Sequence, residues 1–504
     1  FLFILAVVKT CIMITLAVSV TLLVIGYLVY GRLAERLFGM DASRTTPAYA
    51  KRDGIDFVPM KGWRVFMIQF LNIAGLGPIF GAILGAMYGP VAYIWIVLGC
   101  IFMGATHDYF SGMLSVRHGG ASLPEMVGTY LGKNIRAVMR IFTLLLLIFV
   151  GVAFVSGPAK LMFTMTGFSL PFWLGLIFFY YILATMLPID KIIGYLYPFF
   201  GGALFFMAIG IFAAIIVRWA GGSLTLMELT PATLRNFQPD AATNSLFPFL
   251  FIVVSCGAIS GFHGTQSPLM ARCIRSEKQG KQIFYGAMVA EGIVAIIWAT
   301  AAMNYMGDVH GLNYTLTHPL ADNPAVKPDP AWLVNEICRS WLGKAGAVIA
   351  VIGVVACPVT SGDTAFRSAR LTIADMLNIP QKKILPRILI VAPLFAVAFL
   401  LTFIMKDEFA KIWKFVGISN QALAAVTCWT IAMYLAISGK SHWYLSLPAL
   451  FLTAVCITYI LVAPHSGGGL ALPQKISVAV ALAGAAVVLA LFLLAVKKKK
   501  GEGQ

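Results

Sequence analysis

Glu291 stands near the middle of an apolar run, YGAMVAEGIVAIIW. A lone carboxylate in such a setting is costly unless it is protonated, paired or solvated. Two roles are open to it: a protonated acid hydrogen-bonded to a neighbouring helix for packing, or a group that takes up a proton or another cation. Asp363 follows Thr360 and Ser361 in ACPVTSGDTAF, where hydroxyls, carbonyls and a carboxylate could ligate Na⁺. Its alternative is an i,i+4 pair with Arg367. Asp108 follows His107 near the inner end of another apolar run, as an ion-coupling group or as a cap or ion pair. His263 lies among glycines and serines, as a substrate contact or a structural donor. Asn420 and Gln421, in FVGISNQALAA, suit a carboxylate or peptide group, or hydrogen bonds between helices.

Three of the runs that carry these groups are not plain apolar rods. The first, 66–88, holds Gln69 and Asn72 and then Gly75, Gly77, Pro78 and Gly81. The second, 246–270, packs Gly257, Gly261, Gly264 and Pro268 around Ser255, Ser260 and His263. The third, 346–366, carries Pro358, Thr360, Ser361, Gly362 and Asp363. Glycine and proline weaken or interrupt helices, and in lipid the freed amides and carbonyls must find partners. Broken backbone therefore survives inside the protein or beside a water-filled cavity, where half-helix N-termini face anions and bare carbonyls face cations. Small residues also let helices approach closely, which is the packing alternative.

The surrounding elements are membrane helices. Of 504 residues, 60% are hydrophobic and 11% charged, too few charges to cover a soluble surface of this size. Apolar runs of spanning length predict 13 helices at about 7–30, 63–88, 89–113, 136–160, 171–188, 191–218, 246–268, 282–306, 343–361, 386–404, 416–438, 445–463 and 474–496. The opening apolar stretch contains Lys9 but no small-residue cleavage site follows, so it is read as a membrane helix, not a removed signal peptide. Segment 121–132 is expected as a short interfacial helix.

The net charge of +17 is placed as the positive-inside rule expects. Arg32 to Lys61, Arg117 to Arg136, Arg272 to Lys281, Arg367 to Arg387 and Lys497 to Lys500 fall on one face, whereas Asp308, Asp322 and Asp329 fall on the other. This puts the N-terminus outside and the C-terminus in the cytoplasm; Lys406, Lys411 and Lys414 are the exception, offset by Asp407 and Glu408. No basic stripe interleaved with aromatics is present, so nucleic acid is not an expected partner. Cysteines 11, 100, 256, 273, 338, 357, 428 and 456 form no CxxC pair and are expected as packing residues, with no metal or cofactor site indicated.

From the second span, five helices (63–218) precede five more (246–438), and each five opens with a broken helix of opposite direction. That is the pattern of an inverted repeat with a midplane site. The organisation is thus an N-terminal extra helix and connector (1–62), a first repeat (63–218), an outer connector (219–245), a second repeat (246–438) and two further helices with a basic tail (439–504).

At these residues the chain resembles the carbon starvation protein family. The matching stretches include YGRLAERLFGMD, PAYAKRDGIDFVPM, IAGLGPIFGAILGAMYG, GATHDYFSGMLSVRHGGASLPEM, CGAISGFHG, MVAEGIVAIIWA, TSGDTAFRSARL and FVGISNQALAA, in order from about residue 30 to 430. The resemblance implies an all-α, polytopic bacterial inner-membrane protein with a 5+5 inverted-repeat, LeuT-like core, working in uptake of peptides or in proton-coupled uptake of pyruvate. It maps the family's glycine-rich broken helix to Gly75, Gly77 and Pro78, its S-G-F-H element to Ser260–His263, its mid-membrane glutamate to Glu291, its T-x-x-D element to Thr360–Asp363 and its N-Q pair to Asn420–Gln421. Where some members carry a longer polar stretch after the histidine, this chain reads GTQSPLMA, which bears on substrate identity.

The expected function is secondary active uptake of a small organic substrate, pyruvate or short peptides, driven by H⁺ or Na⁺. Substrate is expected between 69–81 and 255–267, its carboxylate on amides near Gly75–Gly77 or Gly257–Gly261. Coupling is expected through Glu291 or through Thr360, Ser361 and Asp363. The alternatives are a membrane nutrient sensor acting with a partner, or an intramembrane enzyme with His107, Asp108, His263 and Glu291 converging on a metal. Against the enzyme, HExxH and GxSxG are absent.

Overall fold

A computed structural model of the chain describes residues 13–189, 193–320, 324, 327–404 and 409–501. The start of the first expected span, with Lys9 and Cys11, lies outside the described residues, as do Asp322, Lys406, Asp407 and Glu408.

The described residues form helices and connectors without strands. The helices are α1 Ile14–Phe38, α2 Gly62–Ala74 continued by Gly77–Ala86, α3 Val91–Arg117, α4 Lys133–Thr166, α5 Leu170–Met186, α6 Ile193–Ala220, α7 in two pieces over 246–253 and Gly261–Ala271, α8 Glu277–Tyr305, α9 Gly346–Leu377, α10 Ile384–Ile404, α11 Phe409–Ile437, α12 Trp443–Val462 and α13 Gln474–Gly501. Ten are long and apolar enough to cross a membrane unaided, and the bent α2 makes eleven. The other two expected spans are α5, whose 17 residues are at the short end of spanning length, and the interrupted α7.

Two expectations are corrected. The third run, ACPVTSGDTAF, is not broken: it lies wholly inside the helix Pro330–Leu377, and the only interruption is upstream at Gly343. Pro358 removes one amide from the ladder there without interrupting the helix, which continues through it to Leu377. Segment 121–132 does form a helix, Leu123–Leu131, but its Leu123, Met126, Val127 and Tyr130 are buried in protein against α4 and α11, not lying on a free interface.

The packing places the broken helices at the centre. The second half of α7 lies on α3, the second half of α2 lies on α8, and α9 packs against α4 and α6. By contrast α1, α10 and α13 leave most of their apolar side chains uncovered, the expected state of helices whose solvent is lipid.

Candidate functional site: two helix breaks, a cavity and a buried polar chain

α2 stops at Ala74 because Gly75 turns to φ +42°, and the helix restarts at Gly77 with its two halves bent by 52°. α7 unwinds between Val253 and Gly261, with Gly257 at φ +89°. The two breaks touch. A Cβ on Gly77 would overlap Cys256 Cβ and Sγ, so this approach requires glycine.

A cavity of about 690 Å³ opens above the breaks. Gly75, Gly77, Ser255, Cys256 and Asn420 line its floor with Phe154 and Phe262, whose rings meet edge to face at 6.3 Å. Its mouth carries Asn244, Asp329 and Lys414, on the face expected to be outside. Volumes of this size accommodate a whole small organic molecule.

Behind the floor runs a chain of buried ionisable groups. Asp108 Oδ1 is 2.8 Å from His107 Nδ1, and Asp108 Oδ2 is 2.9 Å from His263 Nδ1. An ionised carboxylate only accepts, so in that state both imidazoles present N–H at Nδ1 and turn Nε2 outward. His263 Nε2 then faces Glu291 Oε2 at 3.5 Å, and Glu291 Oε1 accepts the Gly257 N–H at 3.0 Å. All four side chains are buried. The Cys256 thiol, His263 Nε2 and a Glu291 oxygen lie within 4.8 Å of one another, close enough to share one cation. The four-residue metal set of the enzyme alternative does not form: Asp108 and Glu291 sit at opposite nitrogens of His263, so they cannot close on one ion with it and His107.

The remaining expected residues take separate places. Ser361 donates its hydroxyl to Leu71 O at 3.0 Å, in the last turn before the α2 break, whereas the Thr360 hydroxyl donates back to Cys357 O at 2.8 Å and lies 3.5 Å from Leu71 O. Asp363 points elsewhere. Its carboxylate accepts from Tyr180 at 2.6 Å and Tyr197 at 2.8 Å, and the expected pair with Arg367 does not form. Gln421 Nε2 donates to Phe251 O at 2.6 Å, capping the first half of α7. Gln69 and Asn72 are buried without side-chain hydrogen bonds, as is the Ser260 hydroxyl, and none of these three lines the cavity.

Arg367 is taken by Asp56 instead. Asp56 bonds Arg367 Nη1 at 2.9 Å and Arg370 Nη2 at 2.7 Å, while Arg367 also reaches the Ala184 and Leu187 carbonyls. Burial alone would raise the Asp56 carboxyl, but Arg370, Arg367 and Arg272 outweigh it and hold it well below the usual carboxylate range. The cluster ties the 39–61 connector to α9 on the basic face, opposite the cavity mouth.

Sequence reasoning passed over Cys256, Tyr180, Tyr197 and the Asp56 cluster. Cys256 reads as a packing residue, and Tyr180 and Tyr197 lie in apolar runs, FFYYILA and GYLYPFF, where only their hydroxyls signal a polar partner.

An all-helical, multi-pass chain with two interrupted helices around a central cavity has the architecture of cation-coupled transporters of the LeuT type. Two solved structures share it: MhsT bound to L-phenylalanine (TM-score 0.53, 13% identity, 87% of this chain and 99% of that one) and a Na⁺-coupled sialic acid symporter (TM-score 0.51, 14% identity, 95% and 98%). At such identities the likeness is one of fold. The chain belongs to the carbon starvation protein CstA family, which it matches over residues 10–165, 157–318 and 331–459. A membrane protein of Haemophilus influenzae with no described function is 44% identical over 57% of this chain and 89% of its own length. The Escherichia coli peptide transporter CstA is 27% identical over 64% of this chain, and the E. coli pyruvate/proton symporter BtsT 26% identical over 56%. The matched stretch spans about half the length of those two relatives, 54% and 48%.

Proposed function

We propose that this chain is a secondary uptake transporter of the bacterial inner membrane, with its N-terminus outside and its C-terminus in the cytoplasm, carrying a small carboxylate-bearing substrate of the pyruvate or short-peptide class. The observation that carries the reading is the cavity whose floor is the contact between two helix breaks, with the Glu291–His263–Asp108 chain directly behind it. Substrate sits above Gly75, Gly77 and Ser255, its carboxylate on amides freed at the breaks, with Asn420 as a further polar contact. Gln69, Asn72, Gly257, Ser260, His263 and Gln421 support this floor from behind.

Coupling is to a proton held between Glu291 and His263, with Asp108 fixing the imidazole. A proton completes the 3.5 Å approach between an imidazole lone pair and a carboxylate oxygen, which otherwise has no hydrogen to share. The Thr360 and Ser361 hydroxyls beside Leu71 O form the second candidate station, for Na⁺, which Asp363 joins only when its carboxylate leaves Tyr180 and Tyr197. The cavity opens on the outer face and the Asp56 cluster closes the inner one, the arrangement of a carrier waiting for substrate from outside.

Purified protein in liposomes tests this directly, with pyruvate and dipeptides offered under imposed H⁺ and Na⁺ gradients. Accumulation of one of them under the H⁺ gradient is expected; absence of any accumulation by intact, correctly oriented protein would sink the transport reading.

A further inference from the structure

The polar chain does not end at Asp108. His107 bonds Asp108 through Nδ1, and its Nε2 is buried without a hydrogen bond. A Cβ on Gly264 would lie 3.5 Å from that Nε2 and 3.3 Å from Leu123, so the His107 ring borders the place where α7 meets Leu123. Leu123 is in the wall of a hole of about 10 Å³, room for roughly one water. Its other walls include Ser122, Thr143, Thr265 and Ser368. The Thr143 hydroxyl is buried there without a hydrogen bond, a group that a water would satisfy. Arg272 lines this hole and also a cavity of about 540 Å³ on the basic face. The guanidinium stands 3.7 Å from Asp375, which tempers its repulsion of a positive charge, and the Ser122 hydroxyl faces that same carboxyl.

We propose that His107 and this hole are the exit by which the coupling proton reaches the inner face, separately from the substrate. The proposal rests on the proton-coupled reading above. Glu291 Oε2–H gives its proton to His263 Nε2, and His263 gives the Nδ1 proton to Asp108 Oδ2. This needs Asp108 to start neutral, its Oδ1–H turned to an unprotonated His107 Nδ1, with His107 carrying its N–H at Nε2. Asp108 then passes the Oδ1 proton to His107 Nδ1, and His107 releases its Nε2 proton toward water in the hole beyond Leu123. At each step one O–H or N–H bond breaks as the next forms, so one proton moves. At 3.5 Å and without hydrogen-bond geometry, the Glu291–His263 link is open in this structure, as is the far end of the chain at His107 Nε2. It closes when the second half of α7, which carries His263, moves toward α8.

The test separates substrate exchange from proton-driven accumulation in liposomes, using whichever of pyruvate or a dipeptide the unaltered protein exchanges, with a pH dye inside. His107→Gln keeps the ring's approximate volume but cannot relay, and Thr143→Val keeps the shape of the hole wall while removing its hydroxyl. Both variants are expected to exchange substrate as the unaltered protein does, which also reports that they fold. Both are expected to lose accumulation and to lower the number of protons entering per substrate. Normal accumulation with an unchanged proton count in His107→Gln and Thr143→Val would overturn the exit route while leaving transport standing. No exchange by the unaltered protein would overturn the transport reading itself, and the exit with it.

Discussion

His263 Nδ1 lies 2.9 Å from Asp108 Oδ2, joining residues 155 positions apart in the chain and fixing the broken half of α7 to the middle of α3. The contact sets which imidazole nitrogen is free, and so determines what Glu291 meets.

Asp108→Asn removes that control, because an amide can donate to the imidazole and release the Nδ1 tautomer. Proton-driven accumulation is expected to fall steeply, with a loss of about 1–3 kcal/mol in stability from imperfectly satisfied buried groups. Glu291→Gln is expected to abolish accumulation while sparing exchange. Full concentrative uptake by Glu291→Gln would remove the proton assignment.

Gly77→Ala is expected to stop transport, since its new methyl would overlap Cys256 and push the two breaks apart. Overpacking of this kind costs about 1–3 kcal/mol. Adding Cys256→Gly should restore part of the activity. If the double variant is as inactive as Gly77→Ala, the breaks do not act through this contact.

Cys256 is the one described cysteine in the cavity wall, and the other six are buried. A membrane-impermeant maleimide added outside should label it, and saturating substrate should slow the reaction. Labelling confined to the inner face would reverse the proposed orientation or the open side.

Asp56→Asn leaves Arg367 and Arg370 without their buried carboxylate, and breaking such a pair costs about 3–5 kcal/mol. The Asp56 carboxyl is lowered in the folded protein, so its contribution is complete above the ordinary aspartate range near about 4. It is lost only as pH falls through the lowered folded value. Thermal unfolding in detergent should therefore show a large difference between Asp56→Asn and the unaltered protein, flat between neutral and mildly acidic pH. A difference that vanishes by about pH 5 would contradict the ion cluster.

For Asp363→Asn, Tyr180 and Tyr197 lose a charged acceptor for their hydroxyls. Reduced uptake with altered Na⁺ dependence is the expected result if the second station carries the cation. Unchanged transport under both gradients would discard that station.

The helices were legible in the sequence because lipid demands long apolar runs, and the breaks at Gly75 and Gly257 were legible because glycines cluster there with polar residues and, in the first run, with Pro78. Glu291 declared itself by its isolation in the same way. What sequence could not give was pairing. Arg367 stands one turn from Asp363, the distance at which helical neighbours often pair, yet the arginine serves Asp56, 311 positions away. Thr360, Ser361 and Asp363 look like one ligand set along the chain, but helical rotation sends the hydroxyls to Leu71 and the carboxylate to the tyrosines. The break expected around Pro358 failed because Gly and Pro only permit an interruption; the packed neighbours of α9 hold it straight.

The open link between His263 and Glu291 has a consequence for the cell. A hydrogen-bonded path complete at every step from the outer cavity to the inner face would conduct protons whether or not substrate was aboard, and would dissipate the gradient it draws on. On the proposed route, the 3.5 Å gap at Glu291 and the unpartnered His107 Nε2 leave the path interrupted at rest. On the proton-coupled reading proposed above, conduction would be tied to the helix movement that closes this gap, and a membrane holding many copies of this protein would stay charged until there is something to carry.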